Sequence, residues 1–201
     1  MTSQVNTNSF NSWTIQDYLS FGYLYLLFIG ITTDSIYYGL VGINIISYSS
    51  VLDVLLSPII RLTDNLIFPA AIIVVPLVMH WYVKLIRLID KKIQAKKGNT
   101  DKKPSSKLIS LDSKALPVLF VAFGIFFIFM GYGVGGGMNI KGKLKSGIIV
   151  PDNRIIFQDG EVSEVKVIGN NSEYIFYIQK KSNVVSVSPI KENIKSIEQL
   201  N

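Results

Sequence analysis

The chain has 201 residues, 49% of them hydrophobic, with a mean hydropathy of +0.37. That is too apolar for an ordinary soluble domain of this size. The formal net charge is +6, with one histidine and no cysteine, which excludes disulfides, thiolate metal sites and cysteine nucleophiles.

The opening residues 1–16, MTSQVNTNSFNSWTIQ, are rich in Asn and Ser and read as a disordered N-terminus. They contain no Lys or Arg, so a cleaved signal peptide is not expected. An apolar stretch over about 18–38 is long enough to cross a bilayer as a helix, at 1.5 Å per residue. Tyr18 and Tyr37–Tyr38 stand at its two ends, where interfacial aromatics belong. Gly22 and Gly30 share one face and permit close helix contact. Asp34 lies one turn inside the span. An ionisable group at that depth is a functional candidate by default, and the plainer alternative is a hydrated carboxylate at the interface.

Residues 39–62 are apolar but interrupted. Ser50-Val-Leu-Asp53 has the form of an N-terminal capping box, and Pro58 stops or kinks the helix that starts there. The pattern predicts an interfacial or re-entrant helix over about 50–62, with a fourth span through 43–62 as the alternative. Asp53 joins Asp34 as a candidate intramembrane polar or pore-lining residue.

The main membrane helix is predicted over about 66–88. Leu66–Val83 carries no formal charge, and Pro69 and Pro76 fall on nearly one face. His80, the lone histidine, is a third polar candidate, although its neighbour Trp81 suits an interfacial role better. Lys84, Arg87, Lys91 and Lys92 are candidates for lipid headgroup contact, with the apolar set Leu85, Ile86, Leu88, Ile89 and Ile93 lying on the membrane surface. A basic loop over 89–114 comes next. Residues 84–114 hold ten Lys or Arg against three acids, whereas 1–83 hold Arg61 against Asp17, Asp34, Asp53 and Asp64. Beside a membrane helix, such a patch points to anionic lipid rather than nucleic acid. By the positive-inside rule this loop is cytoplasmic.

A third helix is predicted over about 115–134, with Pro117 in its first turn. It then runs outward and leaves the C-terminal domain extracytoplasmic, although Lys141, Lys143 and Lys145 oppose that orientation. Gly124, Gly131 and Gly135 are candidates for helix packing, with Gly133–Gly137 as a second G-x-x-x-G pair. Gly131-Tyr132-Gly133 has the letters of a potassium filter, but no pore helix precedes it and no membrane helix comes after it. Five glycines within residues 131–137 predict a fraying end and a flexible joint.

From 138 to 201 the pattern is that of a small antiparallel β-meander. Strands are expected at 147–150, 154–158, 162–168, 173–179 and 184–188, with Asp159-Gly160 as a hairpin turn and a short uncertain element at 190–200. In 173–179, Tyr174, Phe176 and Ile178 share one face, and Ile175 and Tyr177 the other. So small a sheet is expected to rest on the helices or on other copies of the chain.

No H-E-x-x-H, G-x-S-x-G or P-loop occurs, and the acids of the β domain match no calcium loop. An enzyme is not expected, nor a cofactor or metal. The expected architecture is membrane α-helical, with three transmembrane helices (four if 43–62 spans) within 17–137, followed by a small antiparallel β domain. The expected protein is a non-enzymatic, multi-pass component of the cell membrane. It is a homo-oligomer whose β domain is an interaction module for a protein partner. The alternatives are a channel-like or membrane-perturbing effector of a bacterial defence system, and a membrane-bound inhibitor or immunity protein that captures a partner by strand addition.

Overall fold

A computed structural model of the chain describes residues 14–64, 67–96, 115–180 and 182–200. The predicted disordered segment up to residue 13 and most of the basic loop, 97–114, lie outside the described residues. The chain forms helices and a five-stranded antiparallel sheet, and divides into two compact units. One combines the stretch up to Pro58 with that from Gly133 onward, and the other is Ile59–Tyr132.

Helix α1 spans Ile15–Leu40. Thr14 caps it in a reciprocal box with Asp17, the same S/T-x-x-D signature that Ser50 carries, so it begins three residues before the predicted start. Its C-terminus closes on Gly42, whose φ of 87° allows the Ile43 N–H to reach back to the Tyr38 carbonyl at 2.9 Å. A 3-10 turn, Ile45–Tyr48, leads to α2, Val51–Asp64. The expected capping box forms at its start: the Ser50 hydroxyl and backbone N–H both donate to Asp53 Oδ2, at 2.7 and 2.9 Å. Helix α3 spans Ile67–Lys96, so the first eight residues of the predicted basic loop are helical. Helix α4 spans Ala115–Ser146.

Among the described residues, two helical stretches are long and apolar enough to cross a membrane, Ile15–Leu40 and Val118–Ser146. Among the described residues, α3 contributes a shorter apolar run, Pro69–Val78.

Helix α4 overturns the expected fray. It continues through all five clustered glycines and ends at Gly147, in a left-handed conformation of φ 68°. Glycine costs about 1 kcal/mol per helical position relative to alanine, so a partner must offset the loss. That partner is the end of α1. An added Cβ at Gly133 would stand 2.9 Å from the Thr33 carbonyl oxygen, and one at Gly137 2.8 Å from that of Tyr37. The contacts advance together (Gly133 with Thr33, Gly137 with Leu40), so the two helices run parallel here. Gly30 sits closer still to the Val54 backbone of α2.

The sheet comprises β1 Asn153–Phe157, β2 Val162–Asn170, β3 Tyr174–Gln179, β4 Val185–Pro189 and β5 Ile194–Gln199, in the order β4-β3-β2-β1-β5. The four hairpin strands are those predicted. The fifth is not: residues 147–150 are irregular, and the uncertain C-terminal element supplies β5 instead. Pro151 removes a ladder donor next to 147–150, while β5 pairs antiparallel with the free edge of β1, with a register shift between Ile156 and Phe157.

The edge strands β4 and β5 are joined only by α5, Ile190–Asn193. A flat sheet would place them about 19 Å apart, whereas four helical residues rise about 6 Å. The sheet therefore curls into a partly closed barrel. Ile155, Phe157, Val165, Ile175, Tyr177 and Ile194 fill its interior. Its outer face buries Ile168, Phe176 and Ile178 against Tyr37, Tyr38, Ile43 and Ile45. Strand β3 is thus covered on both sides, with the expected alternation of its residues between the two.

Candidate functional site

The built feature of the first unit is the clamp that fixes the barrel to the end of α1. Tyr37 and Tyr38, expected as interfacial aromatics, are instead buried, at 8% and 6% exposure. The Tyr37 hydroxyl donates to the Ile168 carbonyl at 3.0 Å. The Tyr38 ring lies 4.9 Å from that of Phe176, and its hydroxyl occupies the space that a side chain at residue 169 would need, so Gly169 is required there. Tyr48 adds edge contacts to Tyr174 and Phe176, at 5.3 and 6.0 Å between centroids.

A polar latch lies beside this aromatic cluster. Asn171, in the β2–β3 turn, accepts from the Glu173 and Tyr174 N–H groups, and its amide donates to the Tyr48 carbonyl at 2.8 Å. The Ser172 N–H donates to Asp53 Oδ1 at 3.1 Å. Burial works to raise the Asp53 carboxyl, but the hydrogen bonds from Ser50 and Ser172 outweigh it and hold it below its ordinary value. Asp53 therefore both starts α2 and grips the barrel.

A second carboxylate braces the barrel itself. Asp152 accepts from the Val167 N–H at 3.1 Å and the Asn153 amide at 2.8 Å, and forms an ion pair with Lys166. Burial again opposes ionisation, and the Lys166, Val167 and Asn153 donors again prevail, lowering the carboxyl. Tyr177, inside the barrel, is raised by burial and secondarily by Glu161.

Asp34 is buried within α1 at 7% exposure and accepts a hydrogen bond from Ser57 at 2.9 Å. Thr33 and Ser35 flank it with buried hydroxyls that have no hydrogen-bond partner among the described residues. His80, Arg87, Lys91 and Lys92 fall on α3, but their side chains lie outside the described residues. Lys84 is exposed. In the second unit, Gly124 faces Val75 of α3, where an added Cβ would approach Cγ1 to 3.3 Å. Gly131 and Gly135 face open space, whereas Gly133 and Gly137 make the helix contacts. Asp34 and Asp53 bond to different partners, Ser57 on α2 and Ser172 in the β2–β3 turn.

Among the described residues no three His, Asp or Glu side chains gather in a geometry that would hold a metal ion. Among the described residues the clamp is built from aromatic packing, a buried phenol hydrogen bond and a shared carboxylate. The sequence signals one half of the latch through the Ser50–Asp53 spacing. Nothing in the sequence marks Ser172 or Ile168 as the other half.

The chain matches no family model, no curated protein and no solved structure.

Proposed function

We propose that this chain is a non-enzymatic membrane protein with three crossings, and that it acts as an oligomer. In this reading the C-terminal barrel is an interaction module held rigidly on the helix ends. The observation that carries the reading is the clamp of Tyr37, Tyr38, Asn171 and Asp53, which joins the barrel to α1 without a slack linker. A partner that engages the barrel would then act directly on the helices.

The direction of the helices supports three crossings. Helices α1 and α4 run parallel where they meet. If both span, the chain between them must cross back an odd number of times. Leu66–Val83 is the uncharged stretch long enough to do so, which leaves α2 at the interface. The basic segment 84–114 then faces the cytoplasm and the barrel the opposite side.

The absence of cysteine makes the test direct. Single cysteines at Ser105 and Ser182 are exposed to a membrane-impermeant maleimide in intact cells. Labelling at Ser182→Cys alone is the expected result. Labelling at Ser105→Cys alone inverts the orientation, and labelling at both sites defeats the three-crossing arrangement.

A second reading, a channel-like effector, is favoured by one observation: buried Asp34 beside the Thr33 and Ser35 hydroxyls, which have no hydrogen-bond partner among the described residues, inside a membrane-length helix. Expression should then depolarise cells, and Asp34→Asn should change the conductance. A silent membrane potential eliminates it.

A further inference from the structure

The end of α4 carries a feature that the clamp does not use. A cavity of about 310 Å³ opens between the last turns of α4 (Ile140, Lys143), the linker after it (Ile148, Val150) and the outer face of the sheet (Lys166, Ile178). Its walls are almost wholly carbon. Ile148 and Val150 nevertheless stand 68% and 72% exposed, a costly arrangement for a segment bathed in water. The volume lies at the lower end of ligand sites, suited to one slender aliphatic chain rather than a folded partner.

The charges at the rim select the headgroup. Lys143 and Lys166 both line the cavity, and Asp152, bonded to Lys166, is the acid beside them. The site therefore carries a net positive charge. The helix dipole accounts for a lysine in the last turn of α4. It does not account for exposed Ile148 and Val150 beside that lysine. Apolar side chains flanked by a long-stemmed cation at the end of a membrane helix are what a bilayer interface selects.

We propose that this groove binds an anionic phospholipid, with an acyl chain laid along Ile140, Ile148 and Ile149 and the phosphate held by Lys143. The site rests on the reading of α4 as a membrane span, and it is separate from the predicted headgroup contacts at Lys84, Arg87, Lys91 and Lys92. Lys141 and Lys145 lie about 160° around the helix from Lys143, so they supply a control for general surface charge.

The test uses the full chain with Trp13 and Trp81 replaced by Phe and one reporter, Ile148→Trp, in vesicles of phosphatidylcholine with a fixed fraction of brominated lipid. Brominated phosphatidylglycerol is expected to quench the reporter more than brominated phosphatidylcholine at equal mole fraction. Lys143→Gln should lower that preference about fivefold, the worth of one lysine at an anionic surface, and Lys145→Gln should leave it in place. Val150→Trp serves as the reporter if Ile148→Trp alters the melting curve. Equal quenching by the two lipids, or equal loss in both lysine variants, overturns the proposal. A reporter shielded from both lipids in protein that floats with the vesicles means that a second copy or another protein covers the groove, and overturns it as well. Protein that fails to float overturns the membrane reading itself, which is a distinguishable failure.

Discussion

The barrel of the first unit and the helices of the second use apolar side chains in opposite ways. In the first, strand β3 is buried on both faces, and the turn beside it is tied down by Asn171 and Asp53. In the second, Ile73, Val74, Leu77 and Val78 of α3 and Val118, Phe120 and Phe127 of α4 are more than half exposed. The contacts within it include Gly124 on Val75, stacked phenylalanines at 123 and 127, and the Arg61 guanidinium 4.7 Å over the Tyr132 ring. A water-facing module must satisfy its own polar groups and hide its own carbon. On the proposed membrane reading, the carbon that this helix pair leaves outside meets a solvent that is itself apolar. The stability of the barrel should therefore respond to side-chain truncation, and that of the second unit to the presence of lipid.

The largest effect should come from Phe176→Ala. Phe176 is fully buried at the point where the barrel meets Tyr38 and Tyr48. Truncating a buried phenylalanine costs about 3–5 kcal/mol, comparable to the whole stability of so small a domain. Amide exchange in β2–β4 should become fast while the helical circular dichroism in micelles persists. Simultaneous loss of both signals would show that the two units melt as one.

Tyr37→Phe should act less strongly, by about 1–3 kcal/mol, because the buried Ile168 carbonyl loses its donor while the packing stays. The expected readout is a lower denaturant midpoint for the barrel at an unchanged slope. An unchanged midpoint would mean that water replaces the phenol and that the clamp is looser than its burial indicates.

How much of this contrast can be read from the sequence depends on the range of the interaction. The hairpin strands β1–β4 are set by alternation and by Asp159-Gly160, which are local signals. The capping boxes at Thr14 and Ser50 are equally local. Strand β5 is not legible, because IKSIEQ has no clean alternation and owes its conformation to the edge of β1 about forty residues away. The glycine run of α4 misleads for the same reason: by propensity it ends a helix, and only the carbonyls of Thr33 and Tyr37 explain why it continues. At the site, Asp53 is identifiable from sequence as a polar residue in an apolar stretch. Its grip on Ser172 spans 119 positions and has no signature in either segment.

Acid should distinguish the units next. Asp53 and Asp152 are both held below the ordinary carboxylate value, so the fold favours their ionised forms. Their contribution is complete above the unfolded-state pKa of about 3.9 and is lost as pH falls through the lower folded values. The barrel should keep its melting temperature from neutral pH down to about pH 5 and lose stability below about pH 4. Asp53→Asn combined with Asp152→Asn should lower the neutral-pH value and flatten the acid limb. An acid limb as steep as that of the parent would assign the sensitivity to other groups.

The smallest effect tests whether the contrast survives assembly. Gly131 and Gly135 face open space on α4, so alanine meets no obstacle there and removes a helix penalty of about 1 kcal/mol per site. In an isolated chain, Gly131→Ala with Gly135→Ala should therefore be neutral or slightly stabilising. Gly133→Ala and Gly137→Ala should be harmful, since their Cβ atoms would press on the backbone of α1. An oligomer whose copies meet on the 131/135 face reverses the first expectation. Close backbone approach through a G-x-x-x-G pair tolerates no added methyl, so the alanine pair would shift cross-linked dimers in native membranes toward monomer. Unchanged cross-linking would remove this face from the assembly and leave the exposed apolar surface of the second unit to lipid alone.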